Sequence, residues 1–218
     1  MNTIIPAPLA KDISTLEEDI KKVEGFAKRA QMDIVDGKFA PVETVTPEVL
    51  LNIETNMEIE AHLMVEEPVE WIERCVAAGI MGVYGQVEKM SDKPDFIAKA
   101  EDAGLRTGLA FDLETPLTGL EDWINLVDCV LLMAHKAGYQ GLEFDKRVLK
   151  RIEKVREMSP LITILVDGGL NEENIKECLK VGGEKMEFDV GSEILTADNP
   201  EDVYRKLENV ETPYDDVQ

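Results

Sequence analysis

Short runs of β-branched and apolar residues alternate along this chain with segments whose apolar positions recur at helical spacing. The runs predict strands over residues 31–35, 59–65, 81–87, 107–111, 129–134, 161–166 and 186–190, with a short one at 3–6. Between them, segment 145–158 carries Val148, Leu149, Ile152 and Val155 at i, i+1, i+4 and i+7, a one-sided stripe. Segment 171–181 does the same with Ile175, Cys178 and Leu179. Asn171 is placed to cap it, ahead of Glu172 and Glu173 in the first turn. Pro68, Pro94 and Pro200 suit first helical turns, and Gly79 and Gly104 suit left-handed C-caps. Eight strand–helix units in 218 residues, with no break in composition, predict a closed parallel (β/α)8 barrel, the TIM barrel architecture. An open doubly wound sheet ranks second, because no Gly-rich dinucleotide turn follows the first strand. One domain is expected over residues 1–210, with a polar, acidic tail at 211–218.

Composition narrows the function. Hydrophobic residues make up 44% of the chain, ordinary for a globular protein. No apolar run approaches the ~20 residues of a membrane span. The opening Met1-Asn2-Thr3-Ile4 has no basic or long apolar stretch of a signal peptide, so a cytoplasmic location is expected. Cys75, Cys129 and Cys178 are odd in number and widely spaced, which predicts buried thiols rather than a zinc site or disulfides. A formal net charge of -22 argues against nucleic acid and anionic membranes as partners. It also repels a phosphate at long range, so a phosphate site has to be built from local backbone N–H groups.

In a barrel, chemistry gathers where strands end. Gln31 and Asp33, His62, Gln86, Asp112, Asp167 and the pair Gly191-Ser192 stand at or near such ends. Of the two histidines, His62 interrupts an apolar strand, and a shared site with Asp33 and Asp167 is favoured over a satisfied core histidine. His135 sits in a Gly-containing loop and is assigned no role. Two carboxylates facing each other across a carbon can act as base and acid on its opposite faces, as inversion of a C–H centre requires. The plain alternative for Asp167 is a turn residue capping backbone N–H groups. Gly168-Gly169 and Gly191-Ser192 end consecutive strands, where barrels often hold phosphate. Gly138-Tyr139-Gln140-Gly141 is placed to form a lid, or an ordinary flexible loop.

These residues resemble an ordered set of motifs in the ribulose-phosphate 3-epimerase family. Ile5-Pro6-Ala7-Pro8-Leu9 is similar to its opening strand, and 32–41, Met-Asp-Ile-Val-Asp-Gly-Lys-Phe-Ala-Pro, to its second-strand motif. His62-Leu63-Met64-Val65, Thr115-Pro116-Leu117, the 138–141 loop, Val166-Asp167-Gly168-Gly169-Leu170-Asn171 and Gly191-Ser192 follow in the family's order. The resemblance implies a ribulose-phosphate-binding TIM barrel that inverts C3 of a ketopentose 5-phosphate through a metal-stabilised enediolate. It implies that Asp33 and Asp167 are the acid–base pair. It further implies a divalent metal (Zn, Fe or Mn) on Asp33, His62, Asp167 and, at the position of a family histidine, Gln31. Met64, Gly138, Gly141, Gly168, Gly169, Gly191 and Ser192 become the substrate and phosphate contacts. A homo-oligomer and a role in pentose phosphate metabolism are also implied.

Several positions depart from the family's pattern. Gln31 and Gln86 stand for histidines, Ala7 for a serine, Asp112 for an asparagine and Leu142 for a glutamine. An amide oxygen binds a transition metal less well than an imidazole, and a Lewis acid contributes several kcal/mol to stabilising such a charge. Two rivals to an epimerase follow. One is a barrel that binds a sugar phosphate without turning it over. The other is a decarboxylase or aldolase-type barrel of the orotidine-decarboxylase kind, ranked last because Asp36-Gly37-Lys38 lacks the second aspartate of an Asp-x-Lys-x-x-Asp motif.

Overall fold

A computed structural model describes residues 1–139 and 141–211. The expected tail therefore lies outside the described residues except for Glu211, and so does Gln140 of the expected lid. The chain runs β1 (Thr3–Pro6), α1 (Ile13–Val23), β2 (Arg29–Val35), β3 (Glu58–Met64), α2 (Ile72–Ala77), β4 (Gly82–Gln86), α3 (Lys93–Asp102) and β5 (Arg106–Phe111). It continues with β6 (Cys129–Met133), α4 (Arg147–Met158), β7 (Thr163–Asp167), α5 (Glu172–Gly182), β8 (Met186–Val190), α6 (Ser192–Leu195) and α7 (Pro200–Glu208). All seven strand pairings are parallel, in the order β1-β8-β7-β6-β5-β4-β3-β2. At the remaining seam the Asp33 N–H donates to Pro8 O at 3.2 Å, so β2 and the end of β1 meet. The result is a nearly closed (β/α)8 barrel.

Two expected units differ. β2 and β5 are followed by 3-10 turns, Pro47–Asn52 and Leu120–Asp122, in place of α-helices. Proline supplies the reason in the first case, with Pro41 and Pro47 denying backbone donors to a long helix. In the second, Pro116 and a left-handed Gly119 (φ +82°) break the run. Elsewhere the local signals act as read. Asn171 accepts from the Asn174 N–H at 3.0 Å, and Gly79 and Gly104 are left-handed at φ +77° and +70°.

Alternation along each strand divides the core in two. Outward residues such as Ile34, Leu63, Val83, Leu109 and Ile164 pack beneath the helices. Inward residues, among them Ile5, Val35, Met64, Tyr84, Leu131 and Leu165, fill the barrel. The three cysteines are buried free thiols, with Cys129 inside the barrel. At the barrel's floor the interior is ionic. Arg29 reaches Glu60 at 2.7 Å and Glu187 at 3.1 Å, and Arg106 reaches Glu187 at 2.9 Å and donates to the Tyr84 hydroxyl at 2.8 Å. Among the described residues no helix is long and apolar enough to cross a membrane.

Candidate active site

At the opposite end of the barrel, three inward side chains converge. Register pairs Asp33 on β2 with His62 on β3, and Asp167 ends β7. His62 is fully buried, and its Nδ1 lies 3.4 Å from Asp33 Oδ1 and 3.4 Å from Asp167 Oδ2. One donor atom from each residue lies within 4.8 Å of the others. The shared site expected of Asp33, His62 and Asp167 is therefore present as a spatial group.

Gln86 fixes the imidazole. Ala110 O and Glu88 Oε2 lie 3.1 Å and 2.6 Å from one end of its amide, and both are acceptors, so that end is the NH2. The Gln86 carbonyl then faces His62 and accepts from the Nε2–H at 3.0 Å. The second ring nitrogen is left turned between two carboxylates, the tautomer that a metal ligand needs. Burial works against a charged His62, but the carboxylates of Asp167 and Asp33 override it and lift its pKa to about 9. Asp33 is raised to about 6, by burial first and by the Asp167 charge, against the pull of His62.

The donor set suits a divalent cation. Gln31 is fully buried, its Nε2 only grazes Asp33 Oδ1 at 3.5 Å, and its Oε1 has no partner. His62 Nδ1 also lacks a well-formed hydrogen bond. Gln31 Oε1 is thus a buried acceptor without a donor, which is costly, and a cation among Asp33, His62 and Asp167 would take the place of the proton that the raised His62 pKa puts on Nδ1.

A cavity of about 70 Å³ opens above this group. Its wall includes Met64 and the turns Gly138, Gly141, Gly168-Gly169 and Gly191-Ser192, so every expected contact residue borders the space. The glycines are there for close approach. A Cβ at Gly169 (φ +61°) would lie 2.5 Å from the Phe144 nitrogen, and one at Gly191 would lie 2.9 Å from Ala7 O. Gly138 and Gly141, both in the cavity wall, are left-handed at φ +82° and +72°.

His135, assigned no role from the sequence, and Asp189, not singled out there, both line the cavity. His135 borders the cavity, its ring set against Gly168. Its signal was one residue after a strand, which the loop around it disguised. Asp189, inward on β8, is 1% exposed and also borders the cavity. Strand alternation placed it in the interior, but it sits in Phe188-Asp189-Val190 ahead of the glycine turn rather than at it. Asp112 lies outside the cavity wall and accepts from the Ala137 N–H at 3.3 Å, tying two loops together.

Solved structures share this architecture at low identity. A mutant tryptophan synthase alpha-subunit from Pyrococcus furiosus superposes with a TM-score of 0.69 at 14% identity, covering 95% of this chain and 97% of that one. Orotidine 5'-monophosphate decarboxylase from Methanocaldococcus jannaschii gives 0.62 at 13% identity, covering 95% and 98%. These likenesses concern the fold alone. Sequence relatives go further. Ribulose-phosphate 3-epimerase from Aquifex aeolicus (strain VF5) is 30% identical over 217 residues, 96% of this chain and 97% of the relative. The enzyme of the same name from Mycobacterium bovis (strain ATCC BAA-935 / AF2122/97) is 32% identical over 205 residues, 90% and 87%. The family model for ribulose-phosphate 3 epimerases matches residues 3–194. With a barrel, a buried Asp-His-Asp group and this match over nearly the whole chain, the protein belongs to the ribulose-phosphate 3-epimerase family.

Proposed function

We propose that this protein is an isomerase that inverts C3 of a ketopentose 5-phosphate, ribulose 5-phosphate or a close relative. The observation that carries the proposal is the placement of Asp33 and Asp167 on either side of one imidazole nitrogen, at the cavity floor. In this reading one carboxylate takes the C3 proton, and the electron pair passes into the adjoining carbonyl to give an enediolate. The other aspartate, starting as the carboxylic acid, gives its proton to the opposite face of C3 and ends ionised, and the enediolate collapses to the epimer. His62 keeps the two carboxylates apart and oriented, and Gln86 holds the ring. Asp33, His62 and Asp167, with Gln31 as a weaker oxygen donor, would hold a divalent cation that stabilises negative charge on the substrate oxygens.

Backbone N–H groups at Gly168-Gly169 and Gly191-Ser192 bind the phosphate, Met64 packs on the sugar, and Gly138 and Gly141 let the β6 loop close over it. Local amides suit a chain whose formal charge is -22, since its overall field opposes an anion. All of this machinery belongs to one barrel domain over residues 1–210. The test is NMR of ribulose 5-phosphate incubated with the protein and added Mn2+, Fe2+ or Zn2+. Appearance of the C3 epimer supports the reading. Phosphate binding without turnover under every cation supports instead a barrel that kept its cradle and, with Gln31 for an imidazole, lost its chemistry.

A further inference from the structure

Asp189 has no part in that scheme, yet among the described residues it is a poorly satisfied carboxylate. Both of its oxygens are buried, and neither has a hydrogen-bond partner. It borders the same cavity as Asp33 and Asp167, and register sets it beside Asp167 on β7 and Ile5 on β1. Its neighbours in the barrel interior, such as Ile5 and Leu165, are apolar, so an aliphatic side chain would fill the position without any desolvation cost.

Among the described residues no cation is paired with it. The side-chain charges that bear on it most are Asp167, Asp33, Glu60 and Glu187, all carboxylates like itself. The two arginines inside the barrel, Arg29 and Arg106, are already engaged with Glu60 and Glu187 at the floor. Gln31 Oε1 adds another acceptor without a donor. The interior thus offers an excess of hard oxygen acceptors around one imidazole. Asp189 stands outside the Asp33, His62 and Asp167 group that closes to within 4.8 Å, so it would meet a cation there through water. The cavity's 70 Å³ has room for such waters.

We propose that Asp189 is an outer-sphere partner of the cation site, holding a cation-bound water and so favouring a hydrated, oxygen-preferring cation such as Mn2+ over Zn2+. Manganese prefers carboxylate, carbonyl and water ligands, whereas zinc sites are commonly four-coordinate with nitrogen or sulfur ligands. Replacing an imidazole by Gln31 works in the same direction. The proposal rests on the reading that Asp33, His62 and Asp167 hold a divalent cation.

The test uses the full chain, stripped with chelator and titrated separately with Mn2+ and Zn2+ by calorimetry, as native protein, Asp189→Asn and Asp189→Leu. Outer-sphere partners commonly change metal affinity 10–100-fold, so Mn2+ affinity should fall at least about tenfold in both variants, with Zn2+ shifting far less. Water-proton relaxation should show that Mn2+ bound to the variants holds its water differently from Mn2+ on the native protein. Melting of the metal-free forms is the second readout, and both variants should melt above the native protein, because an unpaired buried carboxylate is gone. An unchanged Mn2+ to Zn2+ affinity ratio, or equal loss of both, overturns the proposal while leaving the cation site standing. Metal-free variants that melt lower, or do not fold, overturn it too, since Asp189 would then be satisfied by the protein itself. Native protein that binds neither cation overturns the site reading along with it.

Discussion

Gln31 on β2 and Gln86 on β4 flank β3 in the same interior, and the structure gives them opposite meanings. Gln31 has a buried, unpartnered carbonyl, and in the proposed cation site an imidazole there would be the better ligand. Gln31→His should raise cation affinity about tenfold, read as metal retained after dialysis, because imidazole is the better ligand. Stoichiometric metal in the native protein, unchanged by the substitution, would contradict this. Gln86 is fully buried and engaged, and it sets the His62 tautomer. Gln86→Leu frees the ring to turn its protonated nitrogen inward and should weaken cation binding by about 10–100-fold. Unaltered affinity would show that the tautomer is fixed by other means. In the sequence both glutamines read only as departures from the family's histidines. A substitution shows what has been lost at a position, whereas the partners gained by Gln86, Ala110 O and Glu88, lie 24 and 2 residues away in the chain. His62, Asp33 and Asp167 were legible because strand ends converge in a barrel whatever the distances along the chain.

Elements were read more fully than residues. Every expected strand exists, with boundaries displaced by two residues at most, because parallel strands buried on both faces leave long apolar runs. The units after β2 and β5 were less legible, since a proline limits a helix without saying what replaces it. The glycine turns were legible as pairs, but the reason for each needed contacts from another element. Gly169 is an example, where the main chain of Glu143 and Phe144 crosses above the turn. A methyl group there meets the Phe144 nitrogen at 2.5 Å and sits at φ +61°. Gly169→Ala should therefore displace the turn and weaken inorganic phosphate binding by about tenfold, with the left-handed backbone adding about 1 kcal/mol of instability. Calorimetric titration with phosphate checks the first effect and thermal melting the second. Phosphate affinity equal to that of the native protein would remove this turn from the cradle.

At the scale of the molecule, the barrel has an ionic floor and a reactive mouth, and the two respond differently to pH. Burial raises the Glu187 carboxyl, but Arg29 and Arg106 override it and hold it below its ordinary value of 4.5. A depressed folded-state pKa gives stability that is fully present above 4.5 and is lost as pH falls through the lowered value. Glu187→Gln should flatten that acid limb and cost about 2 kcal/mol at neutral pH, because it leaves two half-buried arginines facing one carboxylate. Denaturant melts across the acid range check this, and an unchanged acid limb would mean that the floor carries little of the linkage. The reactive mouth holds the central claim, that Asp33 and Asp167 exchange protons on opposite faces of one carbon. Deuterium incorporation from D2O into ribulose 5-phosphate, followed by NMR with saturating divalent cation, tests it most directly. The account predicts exchange at C3 with the native protein and none with Asp33→Asn or Asp167→Asn, while calorimetry still finds phosphate bound to all three. Exchange that survives in either variant, or is absent from the native protein with every cation supplied, would contradict it.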